Sequence, residues 1–124
     1  MKVVDIPLSE FKPHPQNPRQ HPESELQHLQ KSLRDHGWFK NVVRSNDGYT
    51  LCGHGMLIAA EREGKKTAPT ETVPVAHDHP KALKIMALDN TVSRLAEDDD
   101  TQLAALLADV QRTEGLDGTG YSDA

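Results

Sequence analysis

Apolar positions along the chain fall into short runs and single stripes, never into one long block. Val3-Val4-Asp5-Ile6-Pro7-Leu8 reads as a first strand that Pro7 closes, which suits a sheet edge. Residues 12–22 hold four prolines. They are barred from helix, and each residue before a proline is pushed toward extended geometry. The stretch is either a stiff linker or a rigid loop that holds Asn17 and Arg19 for a ligand. Pro22 suits the first position of a helix in which Leu26, Leu29 and Leu33 recur at i, i+3 and i+7. His36-Gly37 ends it, the glycine in a left-handed C-terminal position. Trp38 and Phe39 lead into a strand at 41–44, Asn46-Asp47-Gly48 turns a hairpin, and a strand returns over 49–52. A helical apolar pattern then runs from about 55 to 63 and stops at Gly64. Residues 65–71 read as polar loop and 72–76 as the next strand. Asp78 or His79 caps a helix with Pro80 at its first position. Its apolar residues are Leu83, Ile85, Met86 and Leu88, and it ends near Asp89-Asn90. A last helix, about 99–113, carries Leu103, Leu106, Leu107 and Val110 and closes at Gly115. The order β-α-β-β-α-β-α-α predicts a small α+β domain.

Composition narrows the picture. With 124 residues, 35% of them hydrophobic and 4% aromatic, the chain suits one domain with a thin core. No apolar run reaches the length of a membrane span and the start has no signal-peptide core, so no membrane partner is expected. One cysteine, Cys52, rules out an internal disulfide framework and fits a reducing, cytoplasmic setting. The net charge of −5 lacks the basic balance of a phosphate-gripping DNA domain. Much of the acid lies in Glu97-Asp98-Asp99-Asp100 and beyond, which divides the chain into a domain at 1–96 and an acidic linker, helix and tail at 97–124. Tyr121-Ser122-Asp123 reads as the staple and cap of a further helix, so the chain is expected to be cut from a longer protein.

The candidate chemistry centres on Gly53-His54-Gly55. Strand, glycine-bearing loop and helix aim backbone N–H groups and a helix dipole at an anion, usually a phosphate. The competing reading is a tight turn. His54 is either a phosphate donor or acid–base group, or a solvated loop histidine. Asp89 and Asn90 either ligate Mg²⁺ through oxygen or punctuate a helix end. The remaining histidines (14, 21, 28, 36, 77 and 79) fit no zinc spacing and are expected to be solvated. The acidic run serves as cap and dipole partner of the last helix. That helix's stripe can dock a second copy to give a homodimer, but packing on the domain is the expectation.

Taken in order, these boxes resemble the ParB/sulfiredoxin superfamily, and within it the N-terminal domain of ParB-like proteins, over about residues 3–95. The match runs from the first strand through Asn17-Pro18-Arg19, the helix ending His36-Gly37, and the hairpin. It continues through Gly53-His54-Gly55-Met56 with Ala59-Ala60, then Val73-Pro74-Val75 and Asp89-Asn90. Asp89-Asn90 … Leu95-Ala96-Glu97 and Gly118-Thr119-Gly120-Tyr121 look like the phage and prophage branch, where such a domain precedes, or is encoded near, a DNA methyltransferase. The resemblance implies a short mixed sheet with helices packed around it and a C-terminal helical extension. It also implies a nucleotide: CTP in true ParB, ATP in sulfiredoxin, ADP in a free-serine kinase. Carried over, Gly53, His54, Gly55 and Met56 would line the phosphates, with His54 as the catalytic candidate. Asn17 and Arg19 would cover them, and Asp89 with Asn90 would hold Mg²⁺.

The implied function is a nucleotide-binding, NTP-hydrolysing domain of phage or bacterial DNA metabolism, associated with DNA. The rivals are a metal-dependent nuclease, as some relatives are described, and a non-catalytic interaction domain beside a methyltransferase. The family's glycine-box arginine is replaced here by Met56, which makes no charge-assisted bond to phosphate; Arg19 or Arg94 would have to compensate. Sulfiredoxin's catalytic cysteine falls at His54, with Cys52 on the strand before it, so that chemistry is not expected.

Overall fold

Five strands form one mixed sheet: β1 (Val3–Pro7), β2 (Lys12–Pro13), β3 (Val42–Arg44), β4 (Tyr49–Cys52) and β5 (Thr67–Thr72), in the spatial order β1-β5-β3-β4-β2. Four helices accompany it: α1 (Glu23–His36), α2 (His54–Arg62), α3 (Pro80–Leu95) and α4 (Asp100–Thr113). The computed structural model describes residues 2–17, 19–95, 100–113 and 115. The architecture is the expected α+β, and among the described residues no helix is long and apolar enough to cross a membrane. The acidic run up to Asp99 and the Tyr121-Ser122-Asp123 cap lie outside the described residues.

The hairpin forms where the turn chemistry places it. Gly48 takes φ +91°, and its N–H reaches Ser45 O at 3.0 Å while Ser45 N–H reaches Tyr49 O at 2.9 Å. Gly37 ends α1 at φ +78°, its N–H on Leu33 O at 3.1 Å. At the start of α3 the His79 ring accepts the N–H of Lys81 at 3.0 Å, so of the two expected caps it is His79 that acts.

Several boundaries differ from expectation, each for a physical reason. β5 occupies part of the expected polar loop, while residues 73–76 are not strand. Its inward positions are Ala68 and Thr70, small or polar residues that carry no apolar signal, although both are fully buried. Pro69 also argues against a central strand. It is tolerated because the parallel pairing to β3 begins only at Thr70, leaving Pro69 flanked by β1 alone. β2 was hidden among prolines. Its two residues pair with β4 at the sheet edge, where the missing N–H of Pro13 costs nothing. Pro22 is the N-cap of α1 and not its first residue. α3 does not stop at Asp89-Asn90 but runs on to Leu95, so that pair sits within the helix.

The core is built from three groups. Leu33 packs with Met56, Ala59 and Ala60; Val42 with Leu57 and Ala68; Leu51 with Val73 and Ala82. Leu26 is buried on α1 as the stripe requires, but on α3 it is Ala82 and Met86 that are buried while Leu88 is 62% exposed. Leu106 of α4 is 58% exposed, so this part of the stripe does not pack on the domain.

Candidate functional site

α1, α2 and α3 leave a cleft of about 450 Å³ over β3 and β4, within the usual size of small-molecule sites. Its floor is where β4 ends and α2 begins. Gly53 makes that junction in a left-handed conformation (φ +95°, ψ 17°), and a Cβ there would stand 3.3 Å from Val42 Cγ2. The first bond of α2 runs from Leu57 N–H to Gly53 O at 3.1 Å, and no side chain caps the helix. The N–H groups of His54, Gly55 and Met56 therefore have no intrahelical acceptor. Gly53, His54, Gly55 and Met56 all line the cleft, so the N-terminal end of the α2 dipole opens into it.

His54 is half-buried. Burial, and next the neighbouring His21, hold its pKa below the ordinary histidine value. The ring is therefore neutral near pH 7. Met56 has two surroundings: it is only 7% exposed and packs against Leu33 and Ala60, yet it also reaches the cleft wall.

The proline-rich loop forms the opposite wall and is fastened at three points. His14 is 5% exposed; its Nε2 lies 2.9 Å from His77 O and its Nδ1 accepts the N–H of Gln16. Asn17 Oδ1 accepts the N–H of Arg19 at 3.0 Å, so the asparagine side chain ties down the backbone of Arg19. His21 closes the loop with its Nδ1 3.1 Å from Glu25 Oε1. Of the histidines expected in solvent, His28, His36 and His79 are exposed, but His14, His21 and His77 are not. Single apolar-looking positions betray a buried histidine poorly. The i, i+4 spacing of His21 and Glu25 across a helix start was the available signal.

Arg19 and Asp89 meet across the cleft at 3.9 Å, each partly exposed. The structure thus brings together Asn17, Arg19, Gly53, His54, Gly55, Met56 and Asp89. Asn90 and Arg94 are carried on α3, and their side chains lie outside the described residues. Cys52 lines the same cleft, but burial, and then the charge of Asp89, push its thiol up to about 12. It is protonated at neutral pH and is no nucleophile there. Among the described residues, no group of three or more His, Cys, Asp or Glu side chains is arranged to hold a metal.

No protein-family model matches the chain. The ParB-like nuclease domain-containing protein YnaK of Escherichia coli K12 is 34% identical over 61 residues, covering 49% of this chain and 70% of the relative. Three solved structures share the fold. The C-terminally truncated chromosome-partitioning protein ParB from Caulobacter crescentus, complexed with CTP-gamma-S, matches with a TM-score of 0.79 at 21% identity, over 98% of this chain and 73% of its own. A Pnob8-like ParB-N domain matches at 0.63 and 16% identity, over 91% of this chain and 50% of its own. Sulfiredoxin from Arabidopsis thaliana matches at 0.55 and 17% identity, over 70% and 98%.

Proposed function

The chain belongs to the ParB/sulfiredoxin superfamily as a ParB-like domain, and on that premise we propose that its cleft binds a nucleotide by the phosphates. The single observation that carries the reading is the uncapped start of α2, whose free N–H groups and positive dipole end face the cleft. His54 is the side-chain donor beside them. Arg19, in a loop already fixed by Asn17, exchanges Asp89 for phosphate oxygens when the nucleotide enters. The CTP analogue held by the Caulobacter protein supports the ligand class.

Mg²⁺ fits this site only as an ion carried by the phosphates. Asp89 is one carboxylate, and Mg²⁺ commonly takes one or two carboxylates with phosphate and water completing its shell. The bound ion would neutralise phosphate charge, while Gly53–Gly55 and Arg19 orient the chain of phosphates. If turnover occurs, it rests on that positioning and charge stabilisation. A metal-dependent nuclease would need several converging carboxylates, and the described residues offer no such group. We propose a role in bacterial or phage DNA metabolism, with DNA and a DNA methyltransferase as partners.

Calorimetric titration with CTP, ATP, ADP and GTP, with and without Mg²⁺, tests the reading. One nucleotide should bind saturably and more tightly with Mg²⁺. Arg19→Ala should weaken it about tenfold or more, the cost of a charged hydrogen bond. No binding heat or competition with any of the four would overturn it.

A further inference from the structure

His21 is the residue of the cleft to which the sequence drew no attention. Its ring lies against the first turn of α2: a Cβ on Gly55 would stand 2.9 Å from His21 Nδ1 and 3.0 Å from Cε1. Glycine at 55 is what admits the ring. Glu25, in the first turn of α1, has its Oε1 3.1 Å from Nδ1. A carboxylate accepts and does not donate, so Nδ1 carries the proton, and in the Nδ1–H tautomer Nε2 is an acceptor. That Nε2 is buried and has no hydrogen-bond partner among the described residues. An unmet buried acceptor is costly. The neighbouring ring is His54, with centroids 5.8 Å apart and planes at 54°.

We propose that His21 is a positioning residue for His54: Glu25 fixes its tautomer, and its Nε2 receives one N–H of His54 while the other N–H of His54 goes to the phosphate. His54 must then be the imidazolium. The extra proton comes from solvent and forms one new N–H bond on His54, no bond between heavy atoms changes, and the new charge lies between the phosphate and the Glu25–His21 pair. Without a bound anion nothing supplies that balance, and burial, then His21, hold the His54 pKa below its ordinary value. The titratable groups lining the cleft with it are Arg19 and His21 from the loop, Glu25 from the first turn of α1, Lys40 after α1, Cys52 on β4 and Asp89 on α3. Burial and, when it is charged, His21 oppose protonation; Arg19 is engaged by Asp89, and Cys52 is neutral. An arriving anion tips the sum toward the charged ring. The cleft therefore couples phosphate binding to the uptake of about one proton.

This inference rests on the phosphate reading above, and imidazole ¹⁵N spectra separate the two. In the free protein at pH 7.5, His21 should be the Nδ1–H tautomer. With inorganic triphosphate as the probe, the His54 titration midpoint should move up by about one pH unit or more. His21→Ala should abolish most of that movement, and His21→Gln, which offers an amide donor to Glu25 and a carbonyl to His54, should keep it. Finding His21 protonated at Nε2 overturns the inference, as does an upward movement of His54 unchanged in His21→Ala with triphosphate still bound. In that last case the phosphate reading stands. Failure of triphosphate and every nucleotide to bind overturns both.

Discussion

Asp47 is the residue on which the hairpin, the approach to α3 and the proline-rich loop all depend. Its carboxylate accepts from Ser45 Oγ at 2.5 Å, from His77 N–H at 3.0 Å and from the His77 ring at 2.5 Å. His77 in turn stacks on Tyr49 with ring centroids 3.9 Å apart, and its carbonyl receives the His14 ring. Burial disfavours the Asp47 charge, but these donors outweigh it and hold the pKa at about 2, below the ordinary 3.8. A carboxyl depressed on folding stabilises the protein above its unfolded value, and that contribution is lost as pH falls through the folded one. Unfolding followed between pH 5 and pH 2 should therefore show stability dropping over the lower part of that range. Asp47→Asn should flatten the drop while lowering stability at pH 7; an unchanged acid limb would remove Asp47 from this role. Met56 carries a second residue-scale lesson. An arginine placed there would have to leave the Leu33 and Ala60 contacts and reach the cleft, so it would not simply restore a family arginine; it would trade core packing for charge.

Among the elements, α2 carries the site because its start is shaped by a glycine. Gly53 combines φ +95° with close contact to Val42. Gly53→Ala should cost about 1–3 kcal/mol, seen as a lower urea midpoint at unchanged slope. No loss would mean that the loop relaxes and that its geometry is not set by residue 53. This element was legible before any coordinates, because turn residues, strand and helical stripe agreed over residues 46–64. The helices α1 and α4 were placed almost as well by their leucine spacing. β5 was not, since its buried side chains are Ala68 and Thr70 and its strand character comes from pairing on both sides, a tertiary effect. The reach of α3 past Asp89-Asn90 was misread for the opposite reason: two polar residues that often end helices sit here within one. Of the site, Gly53–Gly55, Arg19 and Asp89 were named from the sequence and converge on one cleft. His21 was missed because its burial follows largely from the close approach of Gly55, far along the chain.

For the molecule as a whole, the sheet is a frame on which two walls face each other. One is the start of α2, rigid through β4 and the Val42 contact; the other is the proline-rich loop, tied down at His14, Asn17 and His21. A loop already ordered in this way loses little further freedom when it closes on a ligand. On the proposed reading, backbone donors, one arginine and a histidine facing one carboxylate would suit a polyphosphate carried with a cation. The fold alone does not choose among the chemistries that its relatives host, and the proposed reading therefore rests on the α2 start. The most direct measurement is an amide ¹H–¹⁵N titration of the protein with the nucleotide that binds, in the presence of Mg²⁺. The largest shifts should fall on the N–H groups of His54, Gly55 and Met56, with Arg19 following, and should be lost in His54→Ala less completely than in a variant blocked at Gly55. Binding whose shifts avoid the α2 start would contradict the central claim, and so would spectra that no nucleotide perturbs.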